Sequence, residues 1–121
     1  MSTPFSLDEY VRDLQTIVEM ESHTQDAAGV NAVVDVLETR FHALGWHVTR
    51  SNVSGGQCGD VLELRNVAAE QVDVLLLGHT DTVYPRGTLQ SFPFRVDGGR
   101  ARGPGVADMK GGLLLMLALA R

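Results

Sequence analysis

The sequence is poor in cysteine, and its charged residues are not mainly basic. It has one cysteine, Cys58, among 121 residues. A single cysteine cannot form a disulfide within the chain, so a small secreted scaffold held together by disulfides is excluded. The formal net charge is −5, whereas proteins that bind a nucleic-acid backbone concentrate Lys and Arg on one face. We therefore expect no nucleic-acid partner.

Long apolar runs are also missing. The longest one, Leu113 to Ala120, is far shorter than the roughly 20 residues that a membrane-spanning helix needs. The first nine residues show no basic stretch followed by an apolar stretch, which is the pattern of a secretory signal. The sequence predicts a cytoplasmic protein that has no membrane partner.

What the chain does contain is typical of one globular domain, with 44% hydrophobic and 21% charged residues. Apolar residues recur at intervals of three and four and predict a helix over residues 7–21, which begins at a capping box from Ser6. A second helix is predicted over residues 30–44 and ends before Gly45. A third, apolar on nearly all sides, is predicted over residues 109–121.

Short extended segments separate these helices. Residues 46–50 and 61–65 are strand candidates, and residues 92–96 and 100–102 flank an Asp-Gly turn that is typical of a hairpin. The run from Val74 to Leu77 does not alternate, which favours a strand buried on both faces of a mostly parallel sheet. The element order predicts an α/β fold.

A histidine and a carboxylate follow this predicted buried strand. In open α/β sheets, ligands bind beyond the carboxyl ends of the strands, where His79 and Asp81 lie. Residues two apart point the same way in a strand. His79 is a suitable ligand for a zinc-like ion, and Asp81 is a candidate to orient its ring, although a backbone carbonyl would serve equally.

A second carboxylate, Asp108, comes after the glycine-rich turn Gly103–Gly105 and precedes the apolar helix. It could bridge two metal ions about 3.5–4 Å apart. Taken alone, Asp108 is also a reasonable helix N-cap, and a His-x-Asp pair arises by chance in many proteins. The combination is more specific than either part. Gly111 and Gly112, poor helix formers, predict close approach of another backbone or of the site.

These residues carry a resemblance to a known family. The segments GHTDTVYP (78–85), FPF (92–94) and RGPGVADMKGG (102–112) resemble, in wording and order, the first two metal motifs of the M20 family of zinc peptidases and deacylases. The resemblance is closest to the glutamate carboxypeptidase branch of that family.

The resemblance implies a catalytic domain built as a three-layer α/β sandwich with a mostly parallel central sheet and a pair of Zn²⁺ ions, Co²⁺ or Mn²⁺ being alternatives. By the same resemblance His79 would bind one metal ion, Asp108 would bridge both, and Asp81 would be a catalytic residue that supports His79. The Asp108–Met109 peptide is expected to be cis. The implied substrates are small peptides or N-acyl amino acids, cleaved at an amide bond next to a free carboxylate.

The sequence departs from the family on the C-terminal side of Asp108. The family uses an adjacent pair of glutamates, one of them the general base, and then a further Asp and a further His as ligands. Residues 109–121 contain no acidic residue and no histidine. We therefore expect residues 1–121 to form an incomplete metal-binding domain, without the lid or dimerisation domain. The chain alone is expected to be inactive, and a homodimer of the intact enzyme remains open.

Two alternatives stay open at the level of sequence. The first is a non-catalytic binding or assembly module that uses the apolar helix around Leu113–Ala120 as its partner surface. The second is an unrelated two-metal amidohydrolase, which would differ in its remaining ligands.

Overall fold

The computed structural model describes residues 4–121, which mix helices and short strands as predicted. In chain order the elements are α1 (Leu7–Val18), α2 (Ala27–Ala43), β1 (His47–Ser51), β2 (Val61–Arg65), α3 (Thr88–Ser91), β3 (Arg95–Asp97), β4 (Arg100–Arg102) and α4 (Gly111–Ala120). An irregular turn, residues 106–110, leads into α4.

The start of α1 and the end of α2 agree with the prediction, whereas α1 ends three residues earlier, at Val18, and α2 begins three residues earlier, at Ala27, than predicted. Ser6 caps α1, because its hydroxyl accepts a bond of 3.3 Å from the backbone N–H of Glu9. Asp26 caps α2 in the same way through Gly29, at 3.0 Å. Gly45 follows α2 with φ of +82°, a left-handed conformation that glycine adopts without strain.

Helices α1, α2 and α4 pack their apolar faces against one another and form the core. Their buried apolar residues are Leu14, Ile17, Val18, Val30, Val33, Val34, Leu37, Phe41, Leu113, Leu114 and Leu117. Burial of this apolar surface is the main force that holds the three helices together.

A β-hairpin lies against α2. Strands β1 and β2 pair antiparallel, with His47 opposite Arg65. Arg50 on β1 ties the hairpin to the helix, because its guanidinium contacts the carboxylates of Asp35 at 2.6 Å and Glu38 at 2.8 Å. These hydrogen bonds raise the pKa of Arg50 further above its ordinary range. A second antiparallel pair, β3 and β4, turns at the predicted Asp97–Gly99 segment.

The predicted buried strand at residues 72–77 is not seen in this structure. Val74, Leu75, Leu76 and Leu77 are 73%, 71%, 52% and 79% exposed, and they belong to no strand. Within residues 4–121 the sheets are two separate antiparallel pairs, and a parallel central sheet is not seen. A strand needs a hydrogen-bonded neighbour, and no described residue pairs with this run.

The C-terminal helix is buried on one side only. Leu113, Leu114 and Leu117 face the core, whereas Leu115 and Leu119 are 51% and 77% exposed. This helix, apolar on nearly all sides, is therefore covered only on the side that faces α1 and α2. In the part of the chain that the structure describes, no helix combines the length and apolarity needed to cross a bilayer.

Candidate metal centre

His79 and Asp81, which the sequence singles out as a pair, are in contact. The Nδ1 atom of His79 lies 3.0 Å from Oδ1 of Asp81 and also 3.0 Å from the backbone carbonyl oxygen of Asp81. The carboxylate and the backbone carbonyl, both considered as orienting groups, thus come from one residue. Both accept from an Nδ1–H, which leaves Nε2 as the nitrogen that faces away from Asp81.

A short polar clamp fixes the chain on either side of Asp81. The backbone N–H of Thr82 donates to the carbonyl of Ser22 at 2.8 Å, and the N–H of Thr24 donates to the carbonyl of Thr82 at 3.1 Å. The hydroxyl of Ser22 donates to the carbonyl of Thr80 at 3.0 Å. Ser22 and Thr82 are 1% and 5% exposed, so the loop after α1 holds residues 80–82 at the edge of the core.

Asp108 lies in the irregular turn before α4. Its φ of −131° and ψ of 90° are not helical, and α4 begins at Gly111 with Lys110 as its N-cap residue. The N-cap alternative for Asp108 is therefore wrong. The Asp108–Met109 peptide is cis, as the resemblance implied.

Glycines let this turn pack closely. Gly105 has φ of +79°, and a Cβ atom there would lie 2.5 Å from Cγ2 of Thr82. A Cβ atom on Gly111 would lie 2.7 Å from the carbonyl oxygen of Val106. A larger residue at Gly105 would push the Asp108 turn away from Thr82, and one at Gly111 would distort the turn itself. The predicted close approach is thus observed at Gly111, which meets the backbone of its own turn.

The turn brings Asp108 to His79. Nε2 of His79 lies 2.7 Å from Oδ1 of Asp108, so the imidazole sits between two carboxylates, one at each nitrogen. Partial burial of His79 would lower its pKa, but the hydrogen bonds to Asp108 and Asp81 outweigh this and raise the pKa above its ordinary value. All three predicted site residues are therefore in one place.

Lys110 anchors the same turn in the core. Its side chain is 1% exposed, and Nζ donates to the carbonyls of Ile17 at 2.8 Å and Met20 at 2.7 Å. Burial lowers the pKa of Lys110 to about 8, against the nearby charge of Glu21. One carbonyl in the last turn of α1 and one just beyond the helix thus receive their donors from a residue two positions after Asp108.

The arrangement offers the types of ligand that zinc prefers, but fewer ligands than a zinc site needs. An imidazole nitrogen and a carboxylate oxygen are both good zinc ligands, and an orienting carboxylate on the far ring nitrogen is typical of metal-binding histidines. Asp108 is 79% exposed and His79 is 45% exposed, so both side chains are accessible. Among residues 4–121 no group of three or more His, Cys, Asp or Glu side chains is placed to hold a metal ion.

Ser22, Thr24 and Lys110 were not foreseen from the sequence. Each acts through a main-chain contact between residues 58 to 93 positions apart, and no local motif signals such contacts. Glu21 was missed for the same reason. Its carboxylate accepts the backbone N–H of Gly87 at 2.8 Å and of Leu89 at 3.2 Å, which fixes the start of α3.

Comparison with known proteins agrees with the resemblance that the motifs carry. Residues 75–121 match the pattern of the family described as Peptidase family M20/M25/M40. Over 107 residues the chain is 40% identical to carboxypeptidase G2 from Pseudomonas sp. (strain RS-16). The alignment covers 88% of this chain and 26% of that protein, so the chain spans about a quarter of the length of the curated relative. The predicted resemblance is confirmed.

Proposed function

We propose that this chain supplies part of the metal site of a hydrolase. The proposal is supported by the match to the M20 peptidase family and by the sequence identity to carboxypeptidase G2. The observation that carries the proposal is the position of His79, with Asp81 on one ring nitrogen and Asp108 at 2.7 Å from the other. A carboxylate at one ring nitrogen of a ligand histidine fixes its tautomer. A second carboxylate near the other nitrogen could bind the same metal ion.

Each of the three side chains has a distinct task in this proposal. His79 would hold one ion, with Nε2 as the available ring nitrogen, and the Asp108 carboxylate would be shared between that ion and a second one. Asp81 accepts a hydrogen bond from Nδ1–H of His79 and so leaves Nε2 available as a ligand. We propose Zn²⁺ as the ion, with Co²⁺ and Mn²⁺ as alternatives that the same donors accept.

The reaction we propose is hydrolysis of an amide bond next to a free carboxylate, in a small peptide or an N-acyl amino acid. The support is the name of the relative, a carboxypeptidase. A bound metal pair supplies Lewis acidity toward the scissile carbonyl and toward water. This chain holds the ligands in register, because residues 80–82 are clamped to the loop after α1 and the Asp108 turn is anchored by Lys110.

Two ligands and an orienting carboxylate do not complete a two-metal site. We propose that the remaining ligands, and the glutamate that acts as general base, come from residues that correspond to the rest of the longer relative. Residues 1–121 alone then form an incomplete catalytic domain and show no turnover. We propose that the lid or dimerisation domain, and the contacts of any homodimer, likewise belong to the part that corresponds to the rest of the longer relative.

The same idea extends to the fold. We propose that residues 72–77 become a strand of a mostly parallel sheet in a three-layer α/β sandwich when the rest of the domain is present. In support, this run is apolar but exposed. Just after it, His23 and Thr82 form an isolated parallel bridge. Parallel strands are covered on both faces and read as continuous apolar runs.

A chimera tests the proposed function directly. The aligned region of Pseudomonas carboxypeptidase G2 is replaced by this chain, and zinc-dependent hydrolysis is measured on peptides with a C-terminal glutamate and on N-acyl amino acids. We expect activity in the chimera and a loss of at least about 100-fold in kcat for His79→Ala and for Asp108→Ala, since each removes a metal ligand.

His47→Ala is the matched control, because His47 lies exposed on β1 away from the site. It should leave the activity of the chimera unchanged. A folded chimera without zinc-dependent activity on any substrate of the panel would contradict the hydrolase proposal. Equal activity of the His79→Ala and His47→Ala chimeras would contradict the assignment of the ligand.

The second candidate is the binding or assembly module, and exposed apolar side chains favour it. Leu115 and Leu119 on α4, together with the run 74–77, leave apolar surface on the outside of the chain. As an assembly module the chain would self-associate through this surface, and sedimentation analysis would show oligomers. A stable monomer at high concentration would exclude the assembly function and leave the hydrolase proposal untouched.

A further inference from the structure

The carboxylate of Asp81 has a second partner beyond His79. Its Oδ1 atom faces Nδ1 of His79 at 3.0 Å, while its Oδ2 atom accepts a hydrogen bond from the hydroxyl of Thr24. A carboxylate held at both oxygens cannot rotate about its last side-chain bond without loss of one of these contacts. The ring of His79 is thus linked through Asp81 to a residue in the loop after α1.

Thr24 is itself held in place by its backbone. Its N–H donates to the carbonyl of Thr82 at 3.1 Å, and Thr82 in turn donates to Ser22. The Thr24 hydroxyl has only one proton, and the carbonyl of Thr82, 3.4 Å away, is its other acceptor within reach. The carboxylate is the stronger acceptor of the two because it is charged.

We infer that Thr24 is a positioning residue of the metal site, which holds the Asp81 carboxylate against His79 through its hydroxyl. This inference rests on the proposed function for its consequence, because a correctly turned His79 matters most when Nε2 binds an ion. Partners behind a metal-binding histidine typically change metal affinity by about 10- to 100-fold when removed. Thr24 acts one step further out, so the lower end of that range applies.

Substitutions at Thr24 separate the hydroxyl from the rest of the residue. Thr24→Val removes the hydroxyl and keeps the branched shape and the backbone bonds to Thr82. Thr24→Ser restores the hydroxyl, and Thr24→Ala provides a second hydroxyl-free variant if the valine disturbs folding. Thr16→Val is the matched control, since Thr16 is an exposed threonine of α1 whose hydroxyl donates to the carbonyl of Arg12.

The first measurement is the Zn²⁺ affinity of the chimera with carboxypeptidase G2, by competition with a chelating dye, because the rest of that protein supplies the ligands that residues 4–121 lack. We expect the Thr24→Val and Thr24→Ala chimeras to lose about 10-fold in affinity, and the Thr24→Ser and Thr16→Val chimeras to stay within about twofold of the parent chimera. An equal affinity of the Thr24→Val and parent chimeras would overturn the inference. If the parent chimera binds Zn²⁺ no better than its His79→Ala variant does, the proposed function fails instead.

The second measurement needs no metal. The Nδ1–H proton of His79 is observed by ¹⁵N-edited NMR, together with circular dichroism as a check that each variant is folded. We expect a protected proton in the parent chain and in Thr24→Ser, and faster exchange with water in Thr24→Val. Unchanged exchange in a folded Thr24→Val chain would overturn the inference even if the chain binds no zinc.

Discussion

The two halves of the candidate site are held by different forces. The Asp108 half is built into the core, because Lys110 is buried at its end and Leu113, Leu114 and Leu117 of α4 come directly after it. The His79 half is held by polar contacts to the loop after α1, and the apolar run that leads into it is exposed. Equally apolar segments thus differ in burial.

The difference shows that an apolar segment is not buried merely because it is apolar; it also needs a partner that covers it. A helix satisfies its own backbone hydrogen bonds, so α4 needs only an apolar surface to pack on, which α1 and α2 provide. Residues 74–77 need a neighbouring strand for their backbone as well as cover for their side chains. This second need is met by no described residue of the chain.

The largest effect should come from a matched pair of leucine truncations, one in each half. Leu114 is 4% exposed and Leu75 is 71% exposed. We expect Leu114→Ala to lower the free energy of unfolding by about 3 kcal/mol, through lost burial and a cavity. Leu75→Ala should change it by less than about 0.5 kcal/mol. Urea unfolding followed by circular dichroism measures both, and equal losses would erase the contrast between the halves.

A smaller loss is expected when Lys110 is replaced by methionine. Lys110→Met keeps most of the length of the side chain but leaves the carbonyls of Ile17 and Met20 without their donor. A buried polar group without a partner costs about 1–3 kcal/mol in mutational data. Only the contact to Ile17 is fully buried, and the variant no longer desolvates an ammonium group, so we expect a loss of about 2 kcal/mol in the same unfolding experiment. The exposed Arg95→Met serves as control. A Lys110→Met chain as stable as Arg95→Met would show that the anchor is dispensable.

The smallest effect concerns Glu21, which holds the chain beyond His79. Hydrogen bonds from the backbone of Gly87 and then of Leu89 lower the pKa of Glu21 below its ordinary value. A carboxylate with a lowered pKa in the folded state stabilises the fold above the unfolded pKa, about 4.3. This contribution disappears as the pH falls through the folded pKa.

Glu21→Gln should therefore lose a few tenths of a kcal/mol of stability at pH 7 and little at pH 3, because the site is exposed to solvent. Urea unfolding at the two pH values measures the difference. The control is Glu70→Gln, a change at an exposed loop glutamate. If both variants show the same pH dependence, the hydrogen bonds of Glu21 to Gly87 and Leu89 do not contribute to stability.

Local patterns in the sequence predicted most of the helices and turns. Apolar residues three and four apart identified α1 and α2, the Leu, Met and Ala content of residues 113–120 identified α4, and Ser6, Asp97 and Gly45 marked a cap, a turn and a helix end. These features depend on residues close in sequence, so they can be read without knowledge of the rest of the fold.

The features that the sequence did not predict depend on partners far along the chain. The four-residue helix α3 has little periodicity, and Glu21, more than 60 residues earlier, holds its first turn. In the sequence Lys110 looks like an ordinary charged residue, because its contact with the carbonyl of Ile17 is known only from the fold. His79, Asp81 and Asp108 were found because their motifs are local, whereas the residues that hold them in place lie far away in the sequence.

The buried lysine also links two events in folding. The carbonyl end of α1 carries partial negative charge from the aligned peptide dipoles, and the amino group of Lys110 lies against it. If α1 separates from the turn, the carbonyls of Ile17 and Met20 and the amino group of Lys110 lose their hydrogen-bond partners at the same time. The first helix of the chain and the turn that carries Asp108 should therefore open and close as one cooperative unit.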